Sequence, residues 1–290
     1  MTELIDVPVP TEHEDFYATL VERNRGVIGE SSQQRLRTTR FVVAGCGSTG
    51  GACVMPLVRS GAERFVLLDP GHYELNNLNR QDAVLADIGT NKASATRDRI
   101  LAVNPFAEIG VHEDGVAAAT IAGRLRPGDV VVDAVDVTTG DGVRAKVALH
   151  EASCQLRLKV LTAYDIAATQ FVELFDYNQV RQPLRGRVSQ PFTSDRVLRA
   201  LVPPRALPRE IFAELRARRS DPTRGFPQLA MTSTLFGAIA VAHLLRAIDG
   251  EQVARRVRID LYDKTRPRGA RLLERLRRDV GLVELLWRMR

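Results

Sequence analysis

Between Arg40 and Gln81, a short apolar run from Phe41 to Ala44 breaks into a turn where Gly45, Gly47 and Gly50 hold G-x-G-x-x-G spacing. A continuous apolar run bounded by glycine reads as a strand buried on both faces of a parallel sheet. Each glycine then has a physical reason to be there. The first permits the tight turn, the second lets the backbone approach a phosphate, and the third lets the next helix pack against its strand. The helix that begins near Gly50 turns its unpaired N–H groups and positive dipole end toward that phosphate. A second apolar strand, Arg64 to Leu68, ends in Asp69, nineteen residues past Gly50. A carboxylate at that place accepts from a ribose hydroxyl. These features describe an α/β chain built around a nucleotide, without saying which nucleotide.

The residues after Asp69 narrow the choice. An NAD enzyme has no use for the run Glu74-Leu75-Asn76-Asn77-Leu78-Asn79-Arg80-Gln81. A loop crowded with amides and carrying one arginine, just past the ribose carboxylate, suits the polyphosphate and leaving pyrophosphate of ATP. Farther on, Asp87-Ile88-Gly89-Thr90-Asn91-Lys92-Ala93 caps a new helix and sets Lys92 in its first turn. Lysine there opposes the helix dipole, which implies that an anion shares the site. As a set, the glycine turn, the N-x-L-N-R-Q run and the D-I-G-x-N-K-A segment resemble the ThiF/MoeB/E1 family over roughly residues 20–260.

Length and composition agree with that architecture. A chain of 290 residues holds one large α/β domain, or one with a sizeable insertion. With 44% apolar and 26% charged residues the composition is that of a soluble globular protein, and no uninterrupted apolar stretch reaches membrane-spanning length. The acidic start, MTELIDVPVPTEHEDF, lacks the basic and apolar parts of a signal peptide, so a cytoplasmic protein is expected. Cys46, Cys53 and Cys154 form no C-x-x-C pair and are too few for a four-cysteine zinc site, so no zinc is expected. The first two, in and just after the glycine turn, read as packing.

The net charge of +6 is unevenly spread: residues 178–224 carry +7 and residues 251–290 carry +6, which leaves the rest at −7. Basic regions of this density attract acidic proteins or nucleic acids. Against that, 37 Arg beside 4 Lys is the mark of a GC-rich genome, and solvation of exposed helices is the slightly favoured account.

Along the chain, the pattern predicts an N-terminal helical arm over 1–30 and a ThiF/E1-like domain over 31–262 with a crossover insertion at about 178–224. A C-terminal amphipathic helix over 263–290 follows. The fold class expected is α/β: a Rossmann-like, mixed but mostly parallel sheet with helices on both faces. Beyond the first two strands, helices are expected at 91–103, 116–126 and 143–154. Strands are expected at Glu108–His112, Asp129–Asp136 and 159–164, and a half-exposed antiparallel strand at 170–176. The insertion carries helical pieces near 193–201 and 208–218. Residues 226–248 form an apolar core helix or helix pair, in which His243 reads as a satisfied core histidine, and Val257–Tyr262 a last strand. The tail turns Leu272, Leu273, Leu276, Val280, Val283, Leu286 and Trp287 to one side, toward the domain or a partner.

The resemblance implies an enzyme that uses ATP and Mg²⁺ to activate a carboxylate as an acyl-adenylate, releasing pyrophosphate for later transfer to a nucleophile. The carboxylate is that of a protein or peptide C-terminus, a small carrier protein, or a small molecule. It places ATP on Gly45, Gly47, Gly50, Asp69, Asn77, Arg80 and Lys92, and Mg²⁺ on Asp136. It also implies a homodimer, with Arg25 reaching the partner's phosphates; Arg23 is the other candidate. Where the family reads D-N-x-x-x-R this chain has Asp136-Val137-Thr138-Thr139-Gly140, closer to ThiF-like domains found beside nitroreductases. The insertion carries no cysteine, so the thioester step of E1-type relatives is not expected, and Cys154 reads as packing. Two other readings remain open: a tRNA-modifying dehydratase of the same family, to which nucleic-acid binding belongs, and a noncatalytic E1-like dimer partner. A plain NAD oxidoreductase comes last.

Overall fold

The structure is a computed structural model, and it describes residues 8–221 and 224–288. The signal-peptide reading of residues 1–7 and the side chain of Leu286 fall outside the described residues. In chain order the elements are α1 (His13–Leu20), α2 (Glu30–Thr38), β1 (Arg40–Ala44), α3 (Gly50–Arg59), β2 (Arg64–Leu68), α4 (Lys92–Val103), β3 (Glu108–His112) and α5 (Ile121–Arg124). There follow β4 (Val130–Asp133), α6 (Gly140–Gln155), β5 (Lys159–Ile166), β6 (Thr169–Asp176), α7 (Ser194–Leu201), α8 (Phe212–Ser220), α9 (Ala230–Ile248), β7 (Arg256–Asp260), α10 (Leu261–Thr265) and α11 (Arg268–Arg288).

The strands form one sheet in the order β3-β2-β1-β4-β5-β6-β7. The first five run parallel; β6 is antiparallel to β5, and β7 to β6. This is the mixed, mostly parallel, Rossmann-like sheet expected. Alternation within each strand splits the core in two. Phe41 and Val43 of β1 with Phe65 and Leu67 of β2 pack under α2, α3, α4 and α9. Val42, Ala44, Val66 and Leu68 face the opposite side, under α5, α6 and α7.

α9 sits in the first of these layers against α3, so closely that a Cβ on Gly237 would lie 2.4 Å from the Ala52 carbonyl oxygen. By length and mean hydropathy (1.5) it would cross a membrane, in contrast to the sequence reading, yet Phe236, Ala240 and Leu244 are fully buried in the core. His243 is buried as expected but not satisfied, because its Nε2 has no hydrogen-bond partner among the described residues. Burial holds its pKa below the usual histidine value.

Four expectations need correction. The 116–126 helix shrinks to Ile121–Arg124, entered through a turn at Ala117. β4 stops at Asp133, where its pairing with β1 and β5 ends, so Asp136 lies on the following loop. The last strand ends at Asp260, whose side chain caps α10 by accepting from the Asp263 N–H. β6 is buried along nearly its whole length, where alternation had read half-exposed. Its charged position is closed off from water by partners: Glu173 is 1% exposed and meets Arg187 (2.8 Å), Arg256 (3.2 Å) and Arg185 (3.6 Å).

Candidate functional site

The chain order fixes where a ligand can lie. From β1 the sheet grows outward through β2 to β3, then returns to add β4 on the other side of β1. A crevice therefore opens past the carboxyl ends of β1 and β4, where open α/β sheets bind ligands. A cavity of about 900 Å³ lies there, lined among others by Gly45, Gly47, Asp69, Arg80, Lys92 and Asp136.

The glycine turn has the shape its spacing predicts. Gly45 adopts φ +93°, and a Cβ there would stand 2.6 Å from the Ala134 carbonyl oxygen. At Gly50 a Cβ would lie 1.7 Å from the Gly45 carbonyl oxygen, so only glycine lets α3 start this close to β1. Asp69 is bound into the same turn. Its Oδ2 accepts from the Cys46 N–H (2.6 Å) and its Oδ1 from the Gly71 N–H (2.7 Å), which fixes the cradle while leaving lone pairs for a further donor.

Asn91 caps α4 by accepting from the Ala93 N–H (2.8 Å), and its amide donates to the Asp69 carbonyl (2.9 Å). The start of α4, and Lys92 with it, is thereby tied to the end of β2. Lys92 Nζ has no carboxylate partner among the described residues and lies 5.8 Å from the centre of the Tyr73 ring. Arg80 is held through its own loop, donating from Nη1 to the Asn76 carbonyl (2.7 Å) and Asn79 Oδ1 (2.8 Å) and from Nε to Gln228 Oε1 (2.5 Å). Partial burial lowers its pKa, and no carboxylate among the described residues pairs with it directly. Asn77 is buried in the same wall, with its amide on Asn76. Gln81 Oε1 is buried with no hydrogen-bond partner among the described residues and lies beside Gly47.

On the facing side, Asp136 is exposed to the cavity and its carboxylate accepts from the Thr138 N–H and Oγ1 (both 2.8 Å). Arg25 is not brought to this cavity. Its neighbour Asn24 donates to the Ser60 carbonyl (3.1 Å), at the far end of α3 from Gly50. Ten residues of helix put that point about 15 Å from the glycine turn.

Two further carboxylates, one beneath the cavity and one in its wall, take their partners from distant parts of the chain. Asp133 at the end of β4 is fully buried and pairs with Lys146, with His150 Nε2 (2.9 Å) and with Thr162 Oγ1 (2.8 Å). Burial keeps His150 below the usual histidine pKa, so its Nε2–H donates to Asp133 and its Nδ1 accepts from the Tyr177 hydroxyl (2.6 Å). The signal for Lys146 was present in the scarcity of lysine in an arginine-rich chain.

Asp165, at the exit of β5, lines the cavity and accepts from Ser233 Oγ (3.0 Å). The Gln170 amide, oriented so that its NH₂ meets acceptors, donates to Asp165 Oδ1 (2.7 Å). Burial pushes Asp165 from 3.8 up to about 6, against hydrogen bonds from Ser233, Thr49 and Gln170 and the charge of Arg80. A raised carboxyl pKa means that the folded state keeps a proton which the unfolded chain releases, so stability falls as pH rises from about 4 to about 6 and stays reduced above. Asp165→Asn is therefore expected to stabilise the protein at pH 7, by at most about 3 kcal/mol at 1.36 kcal/mol per pKa unit, and to leave it nearly unchanged at pH 4. Urea unfolding at the two pH values measures the difference; equal stabilisation at both would remove the titration as its cause.

A doubly wound sheet with a glycine-turn crevice and unpaired cations above it defines a nucleotide-binding protein of the E1-like fold. The chain belongs to the ThiF family, whose model matches residues 21–278. It is 31% identical over 264 residues to Mycobacterium tuberculosis protein MT1398, covering 85% of this chain and 35% of that one. It is 32% identical over 110 residues to a Thermus thermophilus sulfur carrier protein adenylyltransferase, covering 38% of this chain and 41% of that one. The chain thus spans well under half the length of these relatives. Among solved structures, Escherichia coli tRNA N6-threonylcarbamoyladenosine dehydratase in complex with ATP superposes with a TM-score of 0.59 at 20% identity, over 84% of this chain and 98% of that one.

Proposed function

We propose that this protein uses ATP to adenylate a carboxylate, releasing pyrophosphate. The observation that carries the reading is the pair Arg80 and Lys92. They come from separate segments and face one glycine-lined cavity, and neither has a carboxylate partner among the described residues. Two cations brought together over a phosphate-binding turn are a site for a polyphosphate.

The chemistry asks little of the side chains beyond placement. A substrate carboxylate oxygen forms a bond to the α-phosphorus, and the bond from that phosphorus to the bridging oxygen of the β-phosphate breaks, sending the electron pair out with pyrophosphate. No general base is needed, because the carboxylate is already ionised. Arg80 and Lys92 take up the charge that grows on the departing oxygens, and Asp69 and Gln81 Oε1 accept from hydroxyl or amino groups of the nucleotide. Mg²⁺ binds through one or two carboxylates plus phosphate oxygens, and the exposed Asp136 fits that donor set. The described residues contain no group of three or more ligating side chains, so the phosphates themselves would complete the shell. Bound there, the ion would neutralise phosphate charge.

Transfer of the acyl group needs a proton acceptor for the incoming nucleophile, and Asp165, with its pKa near 6 in the cavity wall, suits that step. Cysteine does not: Cys46 and Cys53 are fully buried with thiol pKa values pushed up, Cys53 to about 12, and burial raises Cys154 as well. Many arginines of the basic regions are engaged internally, as Arg187 with Glu173 (2.8 Å) and Arg209 with Glu274 (2.7 Å) are, which favours a protein, peptide or small-molecule carboxylate over tRNA.

The placement of Arg25 at the far end of α3 supports a role in a partner's site. ATP–pyrophosphate exchange across a panel of peptide, carrier-protein and small carboxylates tests the reaction, and mixing tests the assembly. Arg25→Ala and Asp136→Ala are each expected to be inactive, and their mixture to regain about a quarter of the wild-type sites if subunits exchange freely within two-fold dimers. Exchange of subunits without recovered activity would mean that Arg25 works in its own subunit or not at all. No exchange with any carboxylate, in a protein that still binds ATP, would leave the noncatalytic reading.

A further inference from the structure

The C-terminal helix α11 meets its own domain with one face and leaves another bare. The docked face is narrow. Leu285 is 2% exposed in a small cluster with Ile166, Phe171, Val202, Ile211 and Phe212, with Leu282 packed against it. The Phe212 ring comes so close that a Cβ on Gly281 would stand 3.1 Å from it. The apolar side chains that the sequence pattern gathers on one side of this tail are not on that face. Leu273, Leu276, Val280, Val283 and Trp287 are 49%, 57%, 61%, 67% and 75% exposed.

Their spacing is three, four, three and four, which is the a and d pattern of a two-helix seam. A helix that served only its own domain would need one apolar stripe, and this one has two. With Leu273 at position a, the e positions are Arg277 and Glu284, and Asp279 is at g. In a parallel pair, g faces e, so Asp279 would meet Glu284 of the partner subunit and two like charges would lie together. In an antiparallel pair, e faces e, and Arg277 meets Glu284 of the partner subunit twice around one two-fold axis. The seam then stacks Leu276 on Trp287 of the partner subunit and Val280 on Val283 of the partner subunit, each twice. Glu284 makes no ion pair with any described residue, and Arg277 holds only the neighbouring Glu274 within its own helix (2.6 Å).

We infer that α11 is an antiparallel self-association helix, and that its occupant is the α11 of a second copy of this chain. The complementarity argues for self-pairing, since both members of the e–e ion pair are on this one helix. The contact also bears on the cavity: Leu285 lines it from the docked face of the same helix, so pairing through the seam would steady one wall of the site.

The test needs no substrate, and the chain's single tryptophan lies in the seam. Sedimentation equilibrium and tryptophan emission are followed together as the full-length protein is diluted. Association is expected to bury Trp287, with blue-shifted emission at high concentration that moves red as the mass falls. Arg277→Glu and Glu284→Arg are each expected to weaken the association roughly tenfold, through two like-charge contacts per dimer, and the double variant to restore it. Val280→Asp, with charge in both central layers, is expected to abolish it. All three substitutions are at surface positions, so circular dichroism should be unchanged. A monomer, a dimer whose mass and emission ignore these variants, or a buried Trp287 in a monomer would each overturn the inference. Failure of the double variant to recover would overturn the antiparallel pairing.

Discussion

Arg80→Ala is expected to lower pyrophosphate exchange by about 10²–10³-fold while leaving the fold intact, and Lys92→Ala to do nearly the same. The size follows from where charge appears. As pyrophosphate leaves, negative charge grows on oxygens beside the glycine turn, and a fixed cation that is already half out of water stabilises that change without reorganising solvent. Arg80 is prepared for this. Three hydrogen bonds, to the Asn76 carbonyl, Asn79 and Gln228, hold its guanidinium at the cavity. Because those bonds serve a surface loop and the start of α9 rather than the core, truncation should cost little stability, within about 1 kcal/mol. The measurement is exchange at saturating ATP and carboxylate alongside thermal unfolding of each variant. Arg80→Lys should recover only part of the rate, since a lysine cannot reproduce the fork that spans three acceptors. Wild-type exchange in Arg80→Ala and in Lys92→Ala would show that these cations do not face the leaving group.

How far these side chains can be read from sequence depends on what holds them. β1 and β2 follow from apolar runs whose neighbours are glycine and aspartate, and their bounds were legible almost to the residue. Gly45 and Gly50 were legible because backbone geometry permits no other residue there. Asp165 and Asp133 were not legible as functional groups, because each acquires its environment from residues far along the chain: Ser233 for one, Lys146, His150 and Thr162 for the other. β6 was misread for a related reason. The alternation of Gln170, Glu173 and their apolar neighbours is the pattern of a strand with one wet face, yet arginines from the insertion and from β7 neutralise Glu173 and close that face. Part of the arginine excess that looked like surface solvation is therefore structural. The tail forms a helix with apolar residues on more than one face, and periodicity cannot say which apolar stripe meets the domain; in the fold the docked contacts are Leu282 and Leu285, next to the predicted stripe rather than on it.

The second large effect is on stability, and it lies beneath the site rather than in it. Asp133→Ala is expected to destabilise the protein by about 3–5 kcal/mol, because it leaves the Lys146 ammonium buried with no counter-charge. Asp133 and Lys146 are 0% and 1% exposed, so water cannot take over the lost contact. Burial alone would push the Asp133 carboxyl up; the Lys146 charge and the His150 hydrogen bond outweigh it and hold the carboxyl well below the usual carboxylate range. By linkage, a depressed carboxylate contributes stability that is present above its unfolded pKa of about 4 and is lost only as pH falls through the folded value. The wild-type protein should therefore keep this contribution at pH 5, and the deficit of Asp133→Ala should be the same at pH 5 and pH 7. Replacing both partners, as Asp133→Leu with Lys146→Met, should recover the share of the loss that comes from the stranded ammonium, and leave the cost of the buried His150 Nε2–H and Thr162 hydroxyl without their acceptor. Recovery of stability need not restore activity. Asp133 Oδ1 also accepts from the Val135 N–H (3.2 Å), the first step of the loop that presents Asp136 to the cavity. A double variant that is folded at the assay temperature yet exchanges pyrophosphate poorly would assign the buried charge to aiming that loop. One that is both stable and fully active would confine Asp133 to the core.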